Sequence, residues 1–366
     1  MSVLSIEKLS EYLSSLYGSR VRVERVGELG QEAVETREEL KGFGYGRPYL
    51  IEYKVEERVM EAVLETMRPE GFGHEHFSDR AGILLWQNSC FSKLPRHARS
   101  IDVGAFTEAG DLKSLGDCGE FFIIMEKVEG ELYHRDLDTI AETDRLNEID
   151  RERCRALSNY LAEIHSCKRE APGLYVRRVR ELVGDGECIM GLIDSYPCGL
   201  SYIDEETLLE VEKKCVEWRY RLKPRSPRLC QVHGDFHPWN ILFRSGNDFS
   251  VLDRSRGEWG EPADDLVAMT INYIFYSLQV HGRLEGAFEE LFQIFWQSYL
   301  ERTGDDEMLE VVQPFYAWRG LVIASPLWYP NLELDVRLKL LGFVKDVLDV
   351  ERFDLEEINS YLQAER

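Results

Sequence analysis

An aspartate, an asparagine and two histidines stand at short spacing in Val232-His233-Gly234-Asp235-Phe236-His237-Pro238-Trp239-Asn240-Ile241-Leu242-Phe243, with a second aspartate in Val251-Leu252-Asp253 downstream. Apolar runs on either side of Ser245-Gly246-Asn247-Asp248 predict a β-hairpin. A four-residue tip would pair residue 241 with 252 and 244 with 249. Asn240 and Asp253 then sit side by side at the open end, and Asp235 lies on the loop leading in. Two oxygen ligands together, with a carboxylate five residues upstream, suit a hard divalent cation bridging phosphates with a base beside it.

His233-Gly-Asp235-x-x-x-x-Asn240 followed by Asp253 resembles the Brenner-type catalytic loop of the aminoglycoside phosphotransferase and choline kinase family. The analogous protein-kinase loop reads His-Arg-Asp-x-x-x-x-Asn, with the later metal aspartate opening Asp-Phe-Gly. The run from Asp253 through a glycine-containing loop to Asp265-Leu266 is similar to that family's metal aspartate and the helix that follows it. A His-Gly-Asp triplet by itself recurs by chance; the combination of triplet, asparagine, hairpin and two later aspartates is far more specific.

The resemblance implies an α+β, two-lobed protein-kinase-like fold. Residues 1–125 would be a small antiparallel-sheet lobe that binds nucleotide, and 126–366 a larger, mainly helical lobe carrying catalysis and the substrate pocket. It also implies ATP and Mg²⁺ as cofactors and a hydroxyl-bearing small molecule as acceptor: an amino sugar, amino alcohol, sugar or similar metabolite. Asp235 would take the hydroxyl proton, and Asn240 and Asp253 would hold Mg²⁺. His233 would brace the loop, and Asp265 would tie the loop backbone by accepting N–H groups. Two other readings stay open: a kinase-like nucleotide-binding module with weak or no turnover, and paired aspartates in metal-assisted hydrolysis or glycoside cleavage. The hydrolytic reading leaves the spacing of Asn240 without a role.

Upstream, residues 5–17 carry apolar positions at helical spacing (Ile6, Leu9, Leu13, Leu16), and 21–29 alternate as a strand. Gly42, Gly44 and Gly46 form a Gly-x-Gly-x-Gly turn before a strand at 49–55; such a turn brings backbone N–H groups near phosphates without Cβ obstruction. An ordinary glycine hairpin reads the same way. Lys54 is the candidate phosphate-holding lysine if 56–68 is a helix. If Val55–Val59 is instead a hairpin tip, 59–67 is the third strand and the lysine position falls at Glu65 or Arg68. Asp79, near the start of a helix through Trp86, is the candidate acidic partner, or a cap. Residues 100–106 and 120–125 read as strands. Met125-Glu126-Lys127-Val128 resembles the family's lobe connection, where backbone groups near Glu126 and Val128 would pair with adenine.

Beyond residue 145 the pattern is helical: 153–166, 204–222, 264–281, 286–302, 307–324 and 333–349, with 171–200 poorly patterned. His165 reads as a buried structural residue. The many aromatics after residue 270 read as core, with an acceptor pocket built from some of them as the alternative.

Bulk properties bound the function classes. The 366 residues carry a net charge of −23, which disfavours nucleic acid and anionic membranes as partners. No run approaches the ~20 apolar residues of a membrane span, and residues 1–11 read as an amphipathic helix with no signal-peptide pattern. The expectation is a cytoplasmic monomer or homodimer. Eight scattered cysteines with no Cys-x-x-Cys pair predict reduced thiols.

Overall fold

A computed structural model describes residues 5–28, 46–69 and 71–363. The chain divides into two compact units, Met1–Met125 and Glu126–Arg366. Gly42 and Gly44 lie outside the described residues.

In the first unit, helix α1 (Ile6–Tyr17) starts at Ser5, whose side chain accepts the Lys8 N–H, and ends at Gly18 in the left-handed conformation (φ 64°). Its buried Leu9 and Leu13 cover the inward residues of an antiparallel sheet: Val21 and Val23 of β1 (Val21–Glu28), and Ile51 and Tyr53 of β2 (Gly46–Val55). The third strand, β3 (Arg58–Met67), pairs with β2 along its whole length, from Gly46↔Met67 to Val55↔Arg58. The hairpin alternative for residues 55–59 is therefore the one that forms, with Glu56 at φ 54° in the turn. Period-two side chains on a pleated ribbon settle this segment in favour of a strand over the helix.

Helix α2 (Phe77–Phe91) follows, with the Asp79 carboxylate accepting the His76 N–H at 2.8 Å. Of the stretch 100–106 only β4 (Gly104–Phe106) is a strand, paired with β5 (Leu112–Ser114). Residues 120–125 form no strand, contrary to the sequence expectation. Phe122 and Ile124 are exposed there, and an apolar run becomes a strand only where a partner takes its backbone groups.

The second unit is mainly helical. It opens with β6 (Glu131–Leu132), α3 (His134–Thr143) and α4 (Glu148–His165). The poorly patterned stretch contains α5 (Pro172–Gly184) and α6 (Ile189–Asp194), and α7 (Glu205–Leu222) follows. Pro172 in the first turn and the buried Tyr175, Val179, Leu182 and Val183 account for α5. Short strands come next: β7 (Cys230–Gln231), β8 (Ile241–Phe243), β9 (Phe249–Val251) and β10 (Trp259–Gly260). Four long helices, α8 (Ala263–His281), α9 (Gly286–Thr303), α10 (Gln313–Ala324) and α11 (Leu334–Asp349), and the short α12 (Ile358–Tyr361) complete it. The helix expected at 307–324 is two pieces, a short turn at Asp306–Glu310 and then α10, because Pro314 opens a new first turn.

Every aromatic of α8–α10 is core. Tyr273, Phe295, Trp296 and Tyr316 are fully buried, whereas Trp328, which lies beyond α10, is 63% exposed. All eight cysteines are free thiols. Among the described residues no helix is long and apolar enough to cross a membrane.

Candidate active site

Two strand pairings hold the loop that carries the chemistry-bearing residues. Before it, β7 pairs with β10, and the Val232 N–H donates to the Glu258 carbonyl at 3.1 Å. After it, a single helical turn at Pro238–Asn240 leads into β8, which lies between β6 and β9. The residues following Glu126 therefore run directly into the sheet that bears the hairpin. Gly130 sits against β8 with φ 149°, and a Cβ there would lie 2.8 Å from the Phe243 carbonyl oxygen.

The hairpin forms, one residue out of the expected register. Ile241 pairs with Val251 and Phe243 with Phe249, and the Leu252 N–H donates to the Asn240 carbonyl at 2.8 Å. Arg244 faces Asp248 through backbone and side chain, so the tip is the three-residue Ser245-Gly246-Asn247. The bidentate Arg244–Asp248 pair takes Asp248 out of the loop, which sequence pattern does not register. The consequence is local: Leu252, not Asp253, lies opposite Asn240. Asp253 is the next residue, and it adopts a left-handed backbone (φ 55°), a conformation that costs a non-glycine residue energy and is retained chiefly where geometry demands it. Its carboxylate makes no hydrogen bond or ion pair among the described residues.

Asp265, fully buried at the start of α8, holds the loop backbone. Its two carboxylate oxygens accept the N–H groups of His233 and Gly234, each at 2.7 Å, and His165 Nε2 lies 3.1 Å away. His165 is fixed in turn by the Tyr299 hydroxyl at 2.9 Å. Gly234 needs φ 86°, and a Cβ there would approach the Arg256 Cβ at 3.2 Å. His233 is buried, its Nδ1 accepting the Asp235 N–H at 3.3 Å.

Asp235 emerges from this brace with its side chain only 15% exposed. Its Oδ1 accepts Arg319 Nη1 at 2.6 Å, while its Oδ2 has only longer contacts, to His237 Nε2 at 3.4 Å and Asn240 Nδ2 at 3.5 Å. Burial pushes the carboxyl pKa up, but Arg319 and then His237 outweigh it and hold the group well below the usual carboxylate range. Asn240 also donates to the Asp235 carbonyl at 3.0 Å. With its nitrogen turned inward, its Oδ1 is the atom left for a cation. An amide oxygen and a carboxylate with no internal partner are both hard donors, so Asn240 and Asp253 fit Mg²⁺ chemically.

Lys54 lies on β2 with its ammonium 2.7 Å from Glu24, across the register from Arg22. Glu126 is exposed and Val128 half-buried in the stretch before β6. Gly46 opens β2, where a Cβ would meet the Glu65 side chain. Arg319 was not anticipated from the sequence. Its signal was a lone charge in the apolar run Phe315-Tyr316-Ala317-Trp318-Arg319-Gly320-Leu321, since a buried guanidinium requires acidic partners.

Residues 108–307, more than half of the chain, match the Phosphotransferase enzyme family (APH), and the chain belongs to that family. It is similar to the solved structure of a glucosamine kinase in complex with glucosamine, ADP and inorganic phosphate, at 19% identity and TM-score 0.41 over 58% of this chain and 60% of that one. The match thus spans less than two thirds of that kinase. Amicoumacin kinase hAmiN in complex with AMP-PNP, Ca²⁺ and Ami is similar at 15% identity and TM-score 0.41, over 97% of each chain. Plasmodium vivax ethanolamine kinase is similar at 14% identity and TM-score 0.35, over 91% of this chain and 83% of that one. No curated protein matches the chain. The small antiparallel-sheet unit and the larger helical unit make up the α+β, kinase-like class expected from the sequence.

Proposed function

We propose that the chain transfers the γ-phosphoryl group of ATP to a hydroxyl of a small molecule, with Asp235 as the base. The observation that carries this reading is the state of Asp235. It is a charged carboxylate on a braced loop, with one oxygen held by Arg319 and the other only loosely contacted. In the transfer, the acceptor hydroxyl gives its proton to Asp235 as its oxygen bonds to the γ-phosphorus. The bond from that phosphorus to the bridging oxygen breaks, and ADP leaves with the electron pair. Alignment and charge neutralisation supply most of such a rate enhancement.

Asn240 Oδ1 and the Asp253 carboxylate would hold Mg²⁺, which when bound neutralises charge on the phosphates. Gly42, Gly44 and Gly46 would cover the nucleotide, and backbone groups at Glu126 and Val128 would meet adenine. In this reading residues 1–125 serve the nucleotide and 126–366 the chemistry. Asp265 and His233 support the loop, and Asp79 caps its helix.

A second reading, nucleotide binding without turnover, is favoured by one observation: Lys54 is ion-paired to Glu24 on the sheet. ADP release from Mg-ATP distinguishes the two, measured against amino sugars, amino alcohols, sugars and aminoglycosides with Asp235→Asn as control. Turnover with one acceptor class, lowered ~10²–10⁴-fold in the variant, supports phosphoryl transfer. Nucleotide binding without ADP release across the panel supports the second reading.

A further inference from the structure

Arg319 ties together three acceptors on two elements. Nη1 donates to Asp235 Oδ1 at 2.6 Å, and Nη2 donates to Asp264 Oδ1 at 2.9 Å and to the Gly234 carbonyl at 3.3 Å. The guanidinium lies 4.0 Å from the centre of the Trp318 ring. Trp318 is itself buried, with its indole N–H donating to the Glu187 carbonyl at 3.3 Å. The side chain of Arg319 is only 10% exposed. A planar fork held by a ring face and by a carboxylate at the start of α8 has one orientation available, and so does whatever it grips.

That grip makes the two oxygens of Asp235 unequal. Oδ1 is taken by the short charged hydrogen bond, whereas the contacts of Oδ2 to His237 and Asn240 are 3.4 and 3.5 Å. We infer that Arg319 is a positioning residue for phosphoryl transfer: it anchors Asp235 through Oδ1, so that Oδ2 is the oxygen that receives the acceptor's proton. The inference rests on the reading of Asp235 as the base. A lysine cannot reproduce the anchor, because one ammonium does not span Asp235, Gly234 and Asp264 in a fixed plane.

The test pairs crystal structures with kinetics of the full chain. Structures of wild type, Arg319→Ala and Arg319→Lys with ADP and Mg²⁺ report where the Asp235 carboxylate lies. ADP release from Mg-ATP is followed with the acceptor that turns over best in the panel, or with water as acceptor if none does. The expected result is a rotated Asp235 carboxylate in both variants. The kcat should fall about a hundredfold, as for a misplacement of about 1 Å, while KM for ATP stays within about threefold. Methylguanidine should recover at least about tenfold of the Arg319→Ala loss and none of an Asp235→Asn loss. If Arg319→Ala does not fold, Arg319→Gln takes its place.

An Asp235 carboxylate that stays in position, a kcat near that of wild type, or a loss confined to KM for ATP would overturn the inference. Failure of the phosphotransferase reading is separately visible as absence of ADP release by the wild type across the panel, with or without nucleotide binding. The carboxylate position in the variants decides the positioning role whatever the turnover.

Discussion

Both carboxylate oxygens of Asp265 are occupied by consecutive backbone N–H groups of the loop that carries Asp235, from His233 and Gly234, each at 2.7 Å. One side chain on α8 thereby sets the path of the residue that follows, Asp235. The arrangement costs a buried charge, offset by those two bonds and by His165.

Removing that carboxylate strands all three partners. Asp265→Ala should lower unfolding stability by about 3 kcal/mol, measured by urea denaturation. A change below about 0.5 kcal/mol would mean that the loop holds itself. The acid limb follows from the direction of its pKa. Burial raises the Asp265 carboxyl, but His165 and His233 outweigh it, so the folded value is depressed. Its stabilising contribution is present above the unfolded value of about 3.9 and is lost as pH falls through the lower, folded one. The stability gap between wild type and Asp265→Asn should be constant above about pH 5 and shrink below about pH 4.

Asp253 offers a test of backbone against side chain. At φ 55° glycine has no steric penalty, and alanine carries about 1 kcal/mol. Asp253→Gly should therefore be about 1 kcal/mol more stable than Asp253→Ala, while both lose ADP release. Equal stability of the two variants would show that the loop relaxes out of this conformation.

Gly234→Ala combines a positive φ of 86° with a Cβ 3.2 Å from the Arg256 Cβ. It should cost about 1–2 kcal/mol and lower turnover through displacement of Asp235. Thermal melting and ADP release, compared with Gly246→Ala at the open hairpin tip, separate strain from contact. The Gly246 variant should leave turnover unchanged.

Arg228 joins α9's far end to the site's support without touching it. Its guanidinium bonds Glu261 at 2.9 and 3.1 Å and Asp305 at 2.7 and 2.9 Å, and the Tyr175 hydroxyl donates to Glu261 at 2.7 Å. Arg228→Met leaves a buried carboxylate unpaired and should cost about 3–5 kcal/mol. Adding Glu261→Gln should recover part of that loss, read as the coupling in a double-mutant cycle by chemical denaturation. Additive losses would rule out the pairing as the source of stability.

Much of the scaffold is determined by local sequence. Period-two alternation reads β1 and 49–55 reads as the strand β2, while β3 stays open between strand and helix until it pairs with β2; helical spacing of apolar residues reads α1, α4, α7 and the long C-terminal helices. The hairpin between Asn240 and Asp253 follows from turn residues flanked by apolar runs, and the family from the spacing of Asp235, Asn240 and Asp253. These features depend on neighbours in the chain, which a sequence displays directly.

Other features were decided only by contacts that a sequence pattern does not display. The hairpin register depended on the side-chain bond between Arg244 and Asp248, which shortened the loop by one residue. The residues at 120–125 have strand composition, but a strand exists only where a partner accepts its hydrogen bonds. Arg319 lies 84 positions from Asp235, and no local pattern links them. A buried guanidinium announces that it needs anions; only the packing of α10 against the loop and the start of α8 selects Asp235 and Asp264 as those anions.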